Sequence, residues 1–169
     1  MNDIIILSLL LEGPKHGYRL KQDAAMFTSQ GQLHNNTVYP LLNRFLKSGW
    51  ITQREADGER GQTRLLYELT AAGRQALTAR LNEFSEADAA NENAFRLRVG
   101  LFSEIEPVDR ERILRLRDAY LAGRLERLEH IAGAHALTGW PARTFDYVAS
   151  EVAEERKWIA GLMTKIQED

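Results

Sequence analysis

The stretch NNTVYPLLNRFLKSGWITQREADGERGQTRLLYELT, residues 35–70, decides the fold. Asn35, Asn36 and Thr37 offer helix-capping side chains, and Val38, Leu41, Leu42, Phe45 and Leu46 then fall on one helical stripe that predicts a buried side. Tyr39, Asn43 and Lys47 step four residues at a time along another side, so their hydrogen-bonding groups share one exposed row. Pro40 belongs in a first turn, which predicts a helix starting no earlier than about Asn36. Ser48-Gly49 closes that helix, Ile51 to Ala56 reads as a strand, and Asp57 to Gly61 reads as a turn. Arg64 to Leu69 is the returning strand, with Leu65, Tyr67 and Leu69 on one face.

Working outward toward the N-terminus, Asp3 to Leu11 predicts a core helix, apolar nearly all round, that Gly13-Pro14 stops. A second helix enters at His16-Gly17 and runs to about Phe27, carrying Tyr18, Leu20 and Ala24-Ala25. His16 either touches phosphate or caps and packs the helix, the commoner role for a single histidine at such a place. Gly17 lets two helices approach closely, and Thr28 to His34 is the turn before the next helix. Toward the C-terminus, Thr70 caps a helix carrying Leu77, Leu81 and Phe84, and Ser85 to Asn93 reads as its end or a linker.

Phe95, Leu97, Val99, Leu101 and Phe102 mix two periods in a short segment, taken as helix, before Pro107. From Val108 the stripe is clean: Leu114, Leu121, Leu125, Leu128 and Ala132, widened by Ile113, Leu116 and Tyr120. Gly139-Trp140-Pro141 breaks the chain, and Phe145, Val148, Val152, Ile159, Leu162 and Ile166 form the last stripe. Two long amphipathic helices joined by a short turn have too few neighbours to bury both stripes, so they are expected to pack on each other and on a second copy.

The fold class that follows is mainly α with a small β-wing. A winged helix-turn-helix DNA-binding domain over residues 1–88 precedes an antiparallel helical dimerisation domain, with a possible effector-sensing role, over residues 89–169. The net charge of −2 looks wrong for a DNA binder until it is divided along the chain. Residues 1–80 hold ten Lys/Arg against seven Asp/Glu, net +3, and the remainder twelve against seventeen, net −5. The weak positive field therefore lies where phosphates would be met. No apolar run approaches the ~18 residues that span a membrane. Zero cysteines exclude disulfides and thiolate zinc sites, and a cytoplasmic location is expected.

Three motifs resemble the PadR family of bacterial transcriptional regulators, in that family's order and spacing. They are Leu10 to Leu20 with its Gly13-Pro14-Lys15-His16-Gly17-Tyr18 centre, Thr37 to Arg44, and Gly61-Gln62-Thr63-Arg64 followed by Tyr67 to Gly73. The wing departs from the family's usual pattern at Gln62, Thr63 and Leu65, and Asn36 replaces a frequent glycine. The resemblance implies a homodimeric, repressor-type regulator on double-stranded, pseudo-palindromic operator DNA, often released by a small ligand. No cofactor is expected, and an enzyme is a distant third reading, because no nucleophile, base and orienting acid cluster together in the sequence. The alternative from another class is a winged helix used as a protein-protein interaction module.

The expected DNA-facing set is Asn35, Asn36, Thr37, Tyr39, Asn43, Arg44 and Lys47 on the helix, with Arg60, Gln62, Thr63 and Arg64 on the wing. For Tyr39 the competing role is packing within its own domain, and for Arg44 it is pairing with a carboxylate. Gly58 to Gly61 also spells the G-x-x-G clamp of RNA-binding KH domains, but that loop joins helices and this one joins strands. Trp140, Trp158, Tyr147, Phe95 and Phe102 are candidates to line a pocket for a small aromatic effector between dimer arms, with plain core packing the competing role. His130 and His135 are five apart, the wrong spacing for two metal ligands on one helix face, so no metal site is expected.

Overall fold

The structure is a computed structural model that describes residues 1–27, 35–57 and 63–168, with side chains omitted for 35, 36, 57, 63, 167 and 168. It divides into two compact units, Met1–Glu83 and Phe84–Asp169.

In the first unit the elements run α1 (Asn2–Leu9), β1 (Lys15–His16), α2 (Gly17–Ala25), α3 (Asn35–Lys47), β2 (Ile51–Asp57), β3 (Thr63–Leu69) and α4 (Ala71–Asn82). Ile4, Ile5, Ile6, Leu7 and Leu9 of α1 are all buried, because α1 packs between α2 and α4. Each such side chain contributes roughly 1.5–3 kcal/mol by leaving water. Gly13, at φ 125°, ends the turn that follows α1.

β1 was not foreseen. Its two residues join the sheet edge in the order β1-β3-β2, with Lys15 opposite Tyr67 and His16 opposite Leu66. So short a strand carries no periodicity of its own, and β3 recruits it by offering unpaired backbone groups.

Pro40 corrects the expected helix start: α3 begins at Asn35, and Pro40 stands inside the helix instead of in its first turn. Proline lacks the N–H that would bond the carbonyl four residues back, at a cost on the order of 3 kcal/mol. Burial of Val38, Leu42 and Phe45 on the same helix offsets it. The far end of α3 closes as a Schellman motif: the Trp50 N–H donates to the Phe45 carbonyl (2.9 Å) and the Gly49 N–H to the Leu46 carbonyl (3.1 Å). Gly49 takes φ 70°, and the accompanying apolar contact is Phe45 against Trp50, 5.4 Å between ring centres. Thr70 caps α4 as expected, its Oγ1 accepting from the Gly73 N–H at 3.0 Å. The same hydroxyl reaches the carbonyls of Gly49 (2.7 Å) and Trp50 (3.0 Å), so one side chain ties the ends of α3 and β3 to the start of α4.

The second unit comprises α5 (Glu86–Ala90), α6 (Glu92–Val99), a 3₁₀ turn (Phe102–Glu104), α7 (Pro107–His135) and α8 (Gly139–Glu168). Ser85 to Asn93 is therefore neither a tail of α4 nor a linker. Ser85 and Asp88 form a capping box that starts α5, and Asn91 caps α6 by accepting from the Ala94 N–H at 3.0 Å. The chain break before α8 lies at Ala136, which adopts φ 41°, so Trp140 and Pro141 sit in the first turn of α8. Along the α7–α8 hairpin, Ile113, Leu114, Leu121, Val152 and Ile159 are buried, and Arg156 donates to Asp118 across it at 2.8 Å.

Two arginines are buried here. Arg98 lies over Phe84, 4.8 Å to the ring centre, and donates to the Ala94 carbonyl at 3.0 Å. Arg117, 1% exposed, makes a two-pronged pair with Glu155 (2.8 Å to each oxygen) and donates to the Ala89 carbonyl of α5 at 2.6 Å. Phe95 and Tyr120 each lie 5.5 Å from its guanidinium.

Asp88 ties the second unit to acid conditions. Burial alone would raise its pKa, but the Ser85 N–H, the Ser85 hydroxyl and nearby Arg98 outweigh burial and hold it below the ordinary carboxylate value. A depressed carboxylate stabilises the fold above its unfolded pKa, near ~4, and that contribution is lost as pH falls through the folded value. We expect Asp88→Ala to cost about 1 kcal/mol at neutral pH. We also expect it to flatten the acid limb of stability in melts between about pH 3 and pH 7; an acid limb identical to wild type would reject the assignment.

Candidate nucleic-acid interface

α3 presents the polar row in the order the periodicity requires. Val38 and Leu42 are buried, and Tyr39, Asn43 and Lys47 are exposed, Tyr39 at 43%. Thr37, one turn before Leu41, is half-buried.

Tyr39 takes the packing role weighed for it without being closed off from solvent. Its ring rests against Gly17, where an added Cβ would come 3.1 Å from its Cε1, while the side chain stays open to solvent. Gly17 therefore lets α2 meet the Tyr39 ring, a closer definition of the helix approach expected there. Beneath it, Tyr67 is buried, and burial together with Tyr39 raises its pKa above the usual tyrosine value, so it is a neutral phenol at pH 7.

These side chains line a groove of about 660 Å³ walled by α2, α3 and β3. Tyr18, Arg19 and Gln22 come from α2, Tyr39 from α3, and Arg64, Leu65 and Tyr67 from β3, with His16 at its edge. Leu65 shares a face with Tyr67 but is 43% exposed. Among the described lining residues there is no carboxylate, so the groove offers cationic, phenolic and amide groups to a ligand.

Arg44 is placed differently from the rest of the set. Its Nη2 lies 2.6 Å from Asp3 Oδ1, and Arg80 reaches the other oxygen of Asp3 at 3.3 Å. The pairing anticipated as its competing role is therefore present and fastens α3 to α1, with Arg44 still 51% exposed. Arg60 and Gln62 lie outside the described residues, as do Thr28 to His34 and the Gly58–Gly61 loop; of Asn35, Asn36 and Thr63 only the backbone is described.

Two groups escaped the sequence reading. Ala56 pairs with Arg64 across the β2–β3 ladder, and residues two apart on a strand share a face, so exposed Arg54 stands beside Arg64. Strand register is the only signal that reveals this, and an isolated arginine in a strand does not announce it. The α2 wall, Tyr18, Arg19 and Gln22, was passed over because only the packing of α2 against α3 turns those residues toward the wing. Arg19 is braced by Asp23 at 2.8 Å, and Lys15 by Glu12 at 2.7 Å, with its pKa raised chiefly by that hydrogen bond.

Within one copy of the second unit the five aromatic residues do not share one cluster. Phe95 is fully buried and meets Trp158 edge to face at 5.9 Å, with Phe84 on its other side at 6.4 Å. Trp140 and Tyr147 stand exposed near the start of α8, at 79% and 62%, about 27 Å from Trp158 in the case of Trp140 at 1.5 Å per residue. Phe95 is thus a core residue. Among the described residues no cluster of metal-ligating side chains occurs, and no helix is long and apolar enough to cross a membrane.

A helical core flanked by an antiparallel hairpin, with the polar row of one helix turned outward, defines a winged helix-turn-helix protein. Residues 6–79 match the Transcriptional regulator PadR-like family, and the chain belongs to that family. An uncharacterised protein of Lysinibacillus sphaericus is 31% identical over 85 residues, which cover 50% of this chain and 78% of that one. Among solved structures, a transcriptional regulator from Clostridium thermocellum is 30% identical, covering 48% of this chain and 79% of its own, with a TM-score of 0.43. The PadR of Bacillus subtilis, solved with operator DNA, is 18% identical over 97% of this chain and 98% of its own, with a TM-score of 0.47.

Proposed function

We propose that this PadR-family regulator is a homodimeric repressor that binds a pseudo-palindromic operator, one α3 helix per half-site. The observation that carries the reading is the exposed Tyr39-Asn43-Lys47 row next to a groove shared with Arg64 that has no carboxylate among its described lining residues. Asparagine and tyrosine on such a row suit base edges and phosphate oxygens, and the wing arginines Arg54 and Arg64 suit backbone or minor-groove contact. Asn35, Asn36, Thr37, Arg60, Gln62 and Thr63 complete the proposed surface from the sequence pattern.

Dimerisation is supported by the large apolar side chains left open in the second unit: Val108, Ile131, Trp140, Tyr147 and Trp158. A second copy would cover them and set the two reading helices about 34–36 Å apart, one turn of DNA. Release by a small ligand requires only that the ligand prefer dimers with a different spacing. Repression is then steric, and the site of action is the cytoplasm, where the chromosome lies.

Footprinting on DNA flanking the protein's own gene identifies the operator. A folded, dimeric Tyr39→Ala/Arg64→Ala variant is expected to bind it at least tenfold more weakly, from roughly 1–3 kcal/mol per specific contact. Wild-type affinity should fall with salt at a log–log slope of about 0.9 per phosphate neutralised. Unchanged affinity in the double variant would remove the assigned surface, and salt-independent association with a protein would favour the interaction-module reading instead. A monomer in sedimentation at micromolar concentration would remove the paired-helix mechanism.

A further inference from the structure

We propose that His16 is a phosphate-contacting residue of the DNA face and that binding duplex DNA takes up a proton at its Nε2. The proposal rests on the DNA-binding reading above. His16 occupies the N-cap position of α2, yet its side chain makes no capping bond there. Its Nδ1 lies 3.2 Å from the carbonyl oxygen of Leu65 on β3. A carbonyl only accepts, so Nδ1 carries the hydrogen and donates it, and in the neutral ring Nε2 is the bare nitrogen.

The ladder register places His16 opposite Leu66, hence on the sheet face that also carries Arg64 and Arg54. His16 and Arg64 both line the groove. A phosphate oxygen arriving there meets a lone pair on neutral Nε2, acceptor against acceptor. One proton added at Nε2 turns that repulsion into a charge-assisted N–H···O bond. The Nδ1–H bond to Leu65 survives unchanged, because both ring nitrogens of the cation donate.

The groups packed around the ring do not compete for this proton. Around the groove stand Tyr18 and Arg19 on α2, Tyr39 on α3, and Arg64 and Tyr67 on β3, none of them a carboxylate that would hold the proton in the free protein. Lys15, the preceding residue, is engaged by Glu12 and Asp23. The sign follows: proton uptake on binding means that affinity rises as pH falls.

The test measures Kd by fluorescence anisotropy at pH 6 and pH 8, at constant ionic strength, for a mixed-sequence duplex and for the footprinted fragment. Wild type should bind roughly three- to tenfold more tightly at pH 6. Its log–log salt slope at pH 6 should exceed that at pH 8 by up to about 0.9, one phosphate contact. His16→Gln, which keeps a donor for Leu65 but does not titrate, should lose the pH difference. His16→Arg, permanently charged, should bind at pH 8 at least as tightly as wild type does at pH 6. Circular dichroism establishes that both variants are folded, and either one suffices for the decision. A pH difference that persists in folded His16→Gln assigns the proton to His34, His130 or His135 and overturns the proposal, as does a wild type that binds equally at both pH values. A wild type that binds neither duplex at either pH overturns the DNA-binding reading itself, and this proposal with it.

Discussion

Arg117→Ala should destabilise the second unit by about 3–5 kcal/mol, the usual cost of removing one partner from a buried ion pair. The guanidinium satisfies both Glu155 oxygens and the Ala89 carbonyl, and it fills the space between Phe95 and Tyr120. Alanine leaves a carboxylate only 14% exposed without its counter-ion, a backbone carbonyl without a donor, and a void between two rings. Arg117→Lys should recover little, since an ammonium cannot fork onto two oxygens or stack flat on the rings. Arg117→Met with Glu155→Leu should recover most of the loss, because desolvating two charges costs several kcal/mol that their attraction only partly returns. Denaturant unfolding followed by circular dichroism measures all three. A single-variant loss below about 1 kcal/mol would mean that solvent already shares this pair.

The second large effect is expected from a single methyl group. Gly73→Ala places a Cβ 2.0 Å from the Trp50 carbonyl oxygen, 2.7 Å from Leu69 Cδ1 and 2.9 Å from the Trp50 carbonyl carbon. Two of these three atoms are backbone and cannot swing aside. Helix propensity by itself would favour alanine by about 1 kcal/mol, so the two effects have opposite signs and the clash decides. α4 cannot slide away, because the Gly73 N–H is held by Thr70, whose hydroxyl is in turn held by Gly49 and Trp50. We expect a loss of at least ~3 kcal/mol, corresponding to a melting point lower by roughly 12 °C or more for a unit of this size. Gly73→Ala with a wild-type melting point would show that Trp50 and α4 separate freely.

The first unit was readable because its signals are local. The stripe from Val38 to Leu46, the Gly49 stop and the Thr70 cap each act within a few residues, and each formed where its chemistry required. Pro40 was misplaced for the opposite reason: its local penalty is real, but burial of Val38, Leu42 and Phe45, set by tertiary packing, outweighs it. β1 and the partnership of Arg54 with Arg64 depend on pairing between distant residues, which no window of sequence contains.

In the second unit the hidden feature was a charge on an apolar face. The α7 stripe steps by seven from Leu114 to Leu121, and the missing step at position 117 is filled by an arginine. Hydrophobic periodicity skips such a residue. Its Glu155 partner is 38 positions away. The aromatic residues of the second unit were noticed but could not be sorted by sequence into core and surface: Phe95 on α6 is buried and Trp140 on α8 is exposed.

The Thr70 hydroxyl has a mechanical consequence. It bonds the backbone of the α3–β2 connection at Gly49 and Trp50 and that of α4 at Gly73, and Trp50, which receives it, is also the residue that closes α3. The proposed reading helix and the wing strand therefore share one rivet with α4, the last element of the first unit.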